Sequence, residues 1–319
     1  AVPYIQGLQS NGVAACVKHY ALNNQETWRH WVNVTLSDRA LHEIYLPAFK
    51  ACVEEGGAWC VMGSYNRIRG PHGCHNDFLL NGILKKDWKF DGVVVSDWGG
   101  VHDTREAALC GLDVEMGTWT DGLKSYGETA FDNYYMAGPL LELVRSGEIA
   151  ESVIDDKVRR LLRLTMRTKL NPARPLGSLA TQEHAGVARR IAEEGIVLLK
   201  NDNGFFPIEK GRYEKILVIG ENAVKQLTLG GGSSELKVRH EISPLEGLQQ
   251  EYGSGVIVHT LGYGSGLSVY GREVESPYDA DSLRRLAVKM AADAHVVLFV
   301  GGLNKNHLQD CEAGDRISY

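Results

Sequence analysis

The chain has 319 residues, 44% of them hydrophobic and 23% charged, with a formal net charge of −6, which predicts about two globular domains. Nucleic acid and anionic membranes are poor partners for it, because both require clustered Lys and Arg and the chain has no long basic run. Its six cysteines form no C-x-x-C pair, no apolar stretch is long enough to cross a bilayer, and "AVPYIQGLQSNG" lacks the pattern of a signal peptide.

In the first half of the chain, short apolar runs alternate with helical patterns. The strand-like runs are "GVAACVKHY" (12–20), "GAWCVMGSY" (57–65) and "DGVVVSDW" (91–98), and the helical patterns between them are "DRALHEIYLPAFKACVEE" (38–55) and "NDFLLNGILKKDWK" (76–89). Nearly continuous apolar strands that alternate with helices are typical of a parallel sheet covered by helices on both faces. We therefore predict an α/β fold for this half.

A helix and a linker follow. "ESVIDDKVRRLLRLTMRTKL" (151–170) is predicted to be an amphipathic helix whose apolar stripe consists of Ile154, Val158, Leu161, Leu162 and Thr165. "NPARPLGS" (171–178) cannot continue that helix, because it contains two prolines and a glycine. We predict domains at 1–170 and 179–319, joined by this linker.

The second half repeats the alternation. "TQEHAGVARRIAEEGIVLLKND" (181–202) begins as a helix, with Glu183 favourably placed in the first turn. The later elements are the strands "KILVIG" (215–220), "GVIVHT" (255–260) and "HVVLFVGG" (295–302) and the helix "SLRRLAVKMAADA" (282–294). This pattern predicts a second α/β unit with a parallel sheet.

Polar residues end three predicted strands of the first half. Asp97 follows "GVVVS", Lys18 and His19 end "GVAACV", and Tyr65 ends "GAWCVMGS". Ligands of parallel α/β folds bind beyond the carboxyl ends of the strands, so these side chains are candidates for a shared site. For Asp97 an alternative stays open, namely that it caps the helix that follows.

Six motifs occur in an order that resembles family 3 glycoside hydrolases, the β-glucosidase and β-xylosidase family. They are "VKHYALNNQETWR", "VMGSYNRIRG", "GVVVSDWGG", "GLDVEMG", "GIVLLKND" and "GLNKNHLQDCEAGDR". The resemblance implies a (β/α)8-like barrel, of which this chain holds only the later part, followed by a truncated (α/β)6 sandwich domain. It also implies hydrolysis with retention of configuration through a covalent glycosyl-enzyme.

The resemblance assigns roles to individual residues. Asp97 of the S-D-W motif matches the family nucleophile, and Glu312 of "CEAGDR" matches the general acid/base, with Asp310 and Asp315 as neighbouring alternatives. In such a pair the nucleophile has to stay ionised, whereas partial burial raises the pKa of the acid.

Substrate-binding residues are implied in the same way. They are the hydroxyl ligands Lys18, His19 and Arg29, Tyr65 beside the nucleophile, the apolar surfaces of Met62 and Trp98, and Ser233 of "LGGGSS". Arg29 could equally lie on a solvated helix face. A glycine run can also bind phosphate, but "LGGGSS" lacks the usual lysine in register, which disfavours a nucleotide site.

The favoured function is a retaining, exo-acting β-glucosidase that acts on β-glucosides or cello-oligosaccharides, without a metal or an organic cofactor. The alternatives are a β-xylosidase of the same family, a non-catalytic sugar-binding relative and, read from the fold alone, an aldolase with Lys18 as its Schiff-base residue. A β-N-acetylglucosaminidase is disfavoured, because "KHYALNNQE" lacks that subgroup's histidine loop. The family suggests a periplasmic or secreted protein, and a homodimer is one option.

Overall fold

The computed structural model describes residues 1–117, 134–228, 233, 236–266, 274–304, 312 and 314–316. The chain divides into two compact units, Ala1–Gly177 and Ser178–Tyr319. None of the described helices is both long enough and apolar enough to span a membrane.

The elements of the first unit follow the chain in an alternating order. They are α1 (Val2–Ser10), β1 (Cys16–Tyr20), β2 (Asn33–Val34), α2 (Asp38–Ala40), a π-helical stretch (Leu41–Tyr45), α3 (Leu46–Glu54), β3 (Cys60–Gly63), β4 (Arg67–Ile68), a 3-10 turn (Gly73–His75), a π-helix (Phe78–Asp87), β5 (Val93–Val95), α4 (Thr104–Leu109), α5 (Gly138–Arg145) and α6 (Glu151–Arg167).

The main sheet of the first unit is parallel, with the strand order β1-β3-β5. Its centre pairs Cys60 with Val93 and Val61 with Val94, and all four side chains are buried. Apolar side chains on both faces of a strand require cover on both faces, which is why these strands have no polar alternation. The predicted α/β unit with a parallel sheet is confirmed, and the carboxyl ends of the three strands lie along one edge.

Helix α6 packs differently from the prediction. Val158, Leu161 and Leu162, three members of the predicted apolar stripe, are 45%, 38% and 55% exposed. Ile154, a fourth member, packs against a buried apolar cluster. Cationic side chains also hold the helix within the first unit: Arg160 Nη1 donates to the carbonyl oxygens of Phe90 (3.1 Å) and Gly92 (2.9 Å). Carbonyl groups that precede a strand need donors, and the long guanidinium groups of α6 supply them.

The second unit contains helices α7 (Gln182–Gly195), α8 (Pro244–Tyr252) and α9 (Ala280–Ala291), strands β6 (Ile216–Ile219), β7 (Ile257–Thr260) and β8 (Val296–Phe299), and 3-10 turns at Asp202–Gly204 and Glu221–Ala223. The sheet is parallel, with the order β7-β6-β8, and the central strand β6 is buried along its whole length. Glu183 lies in the first turn of α7, as predicted, and Thr181 caps the helix.

Candidate active site

Asp97 lies two residues beyond β5, at the carboxyl edge of the first unit's sheet, and is only 6% exposed. The segment that follows α4 runs back beside this strand: Ser96 N donates to the carbonyl oxygen of Val114 (2.9 Å), and Gly99 N donates to that of Gly117 (2.6 Å). These bonds fix the backbone on both sides of Asp97. The strand tip therefore holds its carboxylate in place without a helix.

The alternative that Asp97 caps the following helix is wrong. Helix α4 begins at Thr104, and its N-cap is Asp103, whose Oδ1 accepts from Glu106 N at 2.8 Å. Asp103 is exposed and occupies the position where an acidic cap satisfies the free N–H groups of a first turn. Asp97 is thereby left without a structural role in α4.

Three donors surround the Asp97 carboxylate. Trp98 N donates to Oδ1 at 2.8 Å, and Nε2 of His19 lies 3.3 Å from Oδ2. The phenol of Tyr65 also donates to this carboxylate. His19 is in β1, Tyr65 follows β3, and Asp97 and Trp98 follow β5. The ends of three parallel strands therefore supply the carboxylate and its donors, as expected from the sequence.

Burial shapes the protonation of these neighbours. It raises the pKa of Tyr65, and the charge of Asp97 raises it further, so the phenol stays a donor. Burial lowers the pKa of His19 more than the charge of Asp97 raises it, so the ring is a neutral donor at pH 7. Burial also raises the pKa of the Cys74 thiol to about 12, although the backbone N–H of Asp97 acts in the opposite direction.

Arg29 lies in a turn rather than on a solvated helix face, which excludes that alternative. Its guanidinium carbon is 4.7 Å from the centre of the Tyr65 ring, its Nη1 is 2.7 Å from Glu26 Oε2, and its side chain is 13% exposed. His30 lies against the same phenol ring, with ring centres 4.1 Å apart. A cation and an imidazole thus both pack against the phenol that donates to Asp97.

The other candidates of the first unit line the same edge. Lys18 is exposed next to His19, and its charge contributes to lowering the pKa of that ring. Met62 is half-buried on β3, opposite Val95. The Trp98 side chain is 60% exposed, which leaves an aromatic surface open to a ligand.

Beneath the site, a buried carboxylate fixes β5. Both oxygens of Asp113 are used: Oδ1 is 2.7 Å from Lys85 Nζ, and Oδ2 accepts from Val94 N at 2.8 Å. The Asp113 side chain has no exposed surface. Lys157 of α6 donates to the carbonyl oxygen of Leu112, the preceding residue, and burial lowers the pKa of Lys157 to about 8.

In the second unit, the structure places Glu312 and Ser233 together. Ser233 N and Ser233 Oγ both donate to Oε2 of Glu312, each at 2.7 Å. Of the two acidic alternatives, Asp310 lies outside the described residues, whereas Asp315 is among them. Across the described ranges, no group of three or more His, Cys, Asp or Glu side chains is arranged to hold a metal ion.

Sequence reasoning missed several neighbours of this site. They are His30, Glu26 and Cys74, together with His72 and His102, whose rings stack 3.8 Å apart. For His72 and Cys74, the signal in the sequence was the density of histidine and cysteine in "GPHGCHND". These two residues follow β3, whereas Glu26 and His30 follow β1 and His102 follows β5, so only the folded chain brings them together.

Two family models match almost the whole chain. The model of the glycosyl hydrolase family 3 N terminal domain matches residues 1–164, and that of the family 3 C-terminal domain matches residues 196–319. A β-glucosidase of Bacteroides ovatus is 56% identical over 100% of this chain and 43% of its own length. The chain belongs to glycoside hydrolase family 3.

The chain is also similar to other glycosidases. An exo-α-(1→6)-L-arabinopyranosidase of Bifidobacterium longum is 37% identical over 74% of this chain and 30% of its own length. The crystal structure of a β-glucosidase of Bifidobacterium adolescentis has a TM-score of 0.80 at 32% identity, covering 99% of this chain and 42% of that one.

β-Glucosidase 3B of Thermotoga neapolitana, solved with glucose, has a TM-score of 0.79 at 28% identity and covers 95% of this chain and 42% of that one. The chain spans less than half the length of each of these relatives. An α/β fold of the family 3 type is thus shown for this chain.

Proposed function

We propose that this chain carries the two catalytic carboxylates of a retaining, exo-acting β-glucosidase. Its fold is that of the later part of a (β/α)8-like barrel followed by part of an (α/β)6 sandwich. The observation that carries the proposal is the setting of Asp97, a buried carboxylate at the carboxyl edge of a parallel sheet with donors from His19, Tyr65 and Trp98. Its relatives, several of them named β-glucosidases, support the choice of sugar.

In the first step Asp97 attacks the anomeric carbon of the terminal glucose. The bond from that carbon to the aglycone oxygen breaks, and Glu312 gives its proton to this oxygen. In the second step a water molecule attacks the same carbon, Glu312 takes a proton from it, and the ester to Asp97 breaks. The products are glucose and an alcohol, and both carboxyl groups return to their starting states.

The donors around Asp97 have a definite part in this chemistry. A carboxylate that accepts hydrogen bonds is held in the orientation needed for attack, because its rotation would break them. Tyr65 keeps its proton and therefore donates throughout the reaction. Lys18 and Arg29 present N–H groups to the sugar hydroxyls. His19, whose N–H is directed to Asp97, offers them its other ring nitrogen as an acceptor. Trp98 and Met62 provide apolar surface for the faces of the ring.

Trapping the intermediate tests the nucleophile. A 2-deoxy-2-fluoro-β-glucoside with a dinitrophenolate leaving group should label the full-length protein with one sugar, and peptide mapping should place it on Asp97. In Asp97→Gly, azide should restore cleavage of the glycosidic bond and give the α-glycosyl azide, the product of inversion. Asp103→Gly is the matched control, because Asp103 only caps a helix. A label on another residue, or rescue without inversion, would contradict the proposal.

A panel of substrates tests the sugar. Hydrolysis of the nitrophenyl β-glucoside should exceed that of the β-xyloside, the α-L-arabinopyranoside and the β-N-acetylglucosaminide. The pentopyranosides belong in the panel because the Bifidobacterium longum relative is named for one of them. A higher kcat/KM for the β-xyloside would replace the glucosidase by the xylosidase alternative, and a higher value for the α-L-arabinopyranoside would replace it by an arabinopyranosidase. Glucose binding without turnover of any substrate would favour a non-catalytic sugar-binding protein.

A further inference from the structure

We propose that Ser233 is a positioning residue for Glu312 that fixes which of its two carboxyl oxygens delivers the proton. This inference rests on the proposed function above. The sequence assigned Ser233 only to sugar binding. The structure instead directs both of its donors, the backbone N–H and the hydroxyl, to a single carboxylate oxygen, Oε2 of Glu312, at 2.7 Å each.

Two hydrogen-bond donors to one carboxyl oxygen determine which oxygen of that carboxyl group carries its proton. A protonated carboxyl has one hydroxyl oxygen and one carbonyl oxygen, and only the carbonyl oxygen is a good double acceptor. Oε2 accepts two bonds, so it takes the carbonyl role and the proton is carried by Oε1. Ser233 thereby orients Glu312 so that Oε1, rather than Oε2, is the oxygen that gives its proton to the leaving group.

The two hydrogen bonds from Ser233 also act after Glu312 has given its proton to the leaving group. After the glycosyl-enzyme forms, Glu312 is ionised, and hydrogen bonds to a charged acceptor are stronger than those to a neutral one. The two bonds from Ser233 therefore stabilise the state in which Glu312 waits for water. Glu312 is half-buried and Ser233 is exposed, so the pair lies at the surface of its unit.

The sugar-ligand role makes a different prediction for the same side chain. Ser233 Oγ has one proton, which it donates to Glu312, so it can donate to a sugar hydroxyl only by releasing the carboxylate. A sugar ligand affects every glucoside alike. A residue that positions the acid affects only substrates whose leaving group needs a proton.

The experiment compares two leaving groups on the natural full-length protein. kcat/KM, which reports formation of the glycosyl-enzyme, is measured with phenyl β-glucoside, a poor leaving group, and with 2,4-dinitrophenyl β-glucoside, which departs without a proton. We expect Ser233→Ala to lose about tenfold with the phenyl substrate and less than about twofold with the dinitrophenyl substrate, since one of the two bonds to Glu312 remains. Ser233→Thr, which keeps the hydroxyl, should have a kcat/KM for the phenyl substrate close to that of the wild type.

Controls separate the possible failures. Ser276→Ala removes an exposed hydroxyl of the same unit that donates to the carbonyl oxygen of Gly264 and accepts from Tyr278 N, and it should behave as wild type. Glu312→Gln should show the leaving-group difference more strongly than Ser233→Ala. If Ser233→Ala does not fold, Ser233→Cys, which keeps the size but is a weak donor, carries the same comparison.

Equal losses with both leaving groups would overturn the proposal in favour of sugar binding, and so would no loss at all. A leaving-group difference in Glu312→Gln but none in Ser233→Ala would overturn the role of Ser233 alone. An inactive wild type, or a Glu312→Gln variant without that difference, would overturn the proposed function and this inference with it.

Discussion

His19 Nε2 lies 3.3 Å from Asp97 Oδ2, although β1 and β5, the strands that deliver these residues, are separated by β3. Tyr65, which follows the intervening strand, donates to the same carboxylate. The carboxylate is therefore held by side chains from both other strands of its sheet. A nucleophile anchored in this way depends on the register of three strands rather than on one loop.

Removal of the phenol should slow the reaction more than it weakens substrate binding. In Tyr65→Phe the Asp97 carboxylate loses a donor, and a hydrogen bond to a charged group contributes about 1.5–3 kcal/mol. We expect kcat to fall about 10- to 100-fold, with a KM that changes less, in steady-state assays with an aryl β-glucoside.

Tyr20→Phe is the matched control for Tyr65→Phe. The Tyr20 hydroxyl is also buried and donates to a backbone oxygen, that of Leu79, at 3.2 Å. We expect a similar loss of stability in this variant and a kcat close to wild type. Equal losses of kcat in both variants would show that the effect of Tyr65 is structural.

Charge removal at Asp113 should destabilise the protein, because it leaves the ammonium group of Lys85 buried beside a neutral group. Lys85 and Asp113 are 11% and 0% exposed, and breaking a buried pair costs roughly 3–5 kcal/mol. We expect Asp113→Asn to lower the free energy of unfolding in urea by about that amount.

Asp91→Asn is the control for the loss of the buried Asp113 charge. Asp91 pairs with Arg167 at 2.8 Å, but its side chain is 54% exposed, so this pair contributes less than about 1 kcal/mol. The comparison fails if both variants lose the same free energy, since burial would then not be the cause.

His75 should make the first unit less stable in mild acid. Burial, reinforced by the neighbouring His72, lowers the pKa of His75 to about 4 from its ordinary 6.5, and Glu106, whose side chain is 50% exposed, does not offset this. The folded state thus binds this proton less tightly than the unfolded state, so stability is lost as the pH falls from 6.5 to 4. The loss from this residue is at most about 3 kcal/mol.

Unfolding in urea at pH 7 and at pH 4.5 measures the effect. His75→Gln should reduce the difference in free energy between the two pH values. His42→Gln, at an exposed histidine of the same unit, should leave that difference as in wild type. An unchanged pH dependence in His75→Gln would remove His75 as its source.

A methyl group at Gly117 should displace the aromatic surface beside the nucleophile. Gly117 has φ +53°, and a Cβ atom there would lie 2.5 Å from Cε3 of Trp98. Because the Trp98 side chain is 60% exposed, the ring can move away. We expect KM for an aryl β-glucoside to rise about three- to tenfold in Gly117→Ala, the size of an aromatic contact.

Gly147→Ala separates that steric effect from backbone strain. Gly147 also has positive φ (+78°), but a Cβ atom there would have nothing within 4 Å, so the variant carries only the strain of a left-handed conformation, roughly 1–2 kcal/mol. Both variants should lose stability, and only Gly117→Ala should change KM. A raised KM in both would refute the role of Trp98.

The sequence by itself determined the local elements of this protein. Runs such as "GVVV" and "KILVIG" became buried parallel strands, and Glu183 lies in the first turn of α7, as its position in the sequence predicted. These features follow from residues close together in the chain, whose burial and backbone hydrogen bonds are set by composition and periodicity. The six ordered motifs likewise identified the family without any coordinates.

Only the tertiary structure decided which side chains meet. It assigned the cap of α4 to Asp103 instead of Asp97, left three residues of the predicted apolar stripe of α6 exposed, and joined Ser233 to Glu312 across 79 positions of the chain. It also set Arg29 over Tyr65. Contacts between distant residues depend on strand order and loop path, and a hydrogen bond needs its two atoms within about 3 Å, a condition that no local pattern encodes.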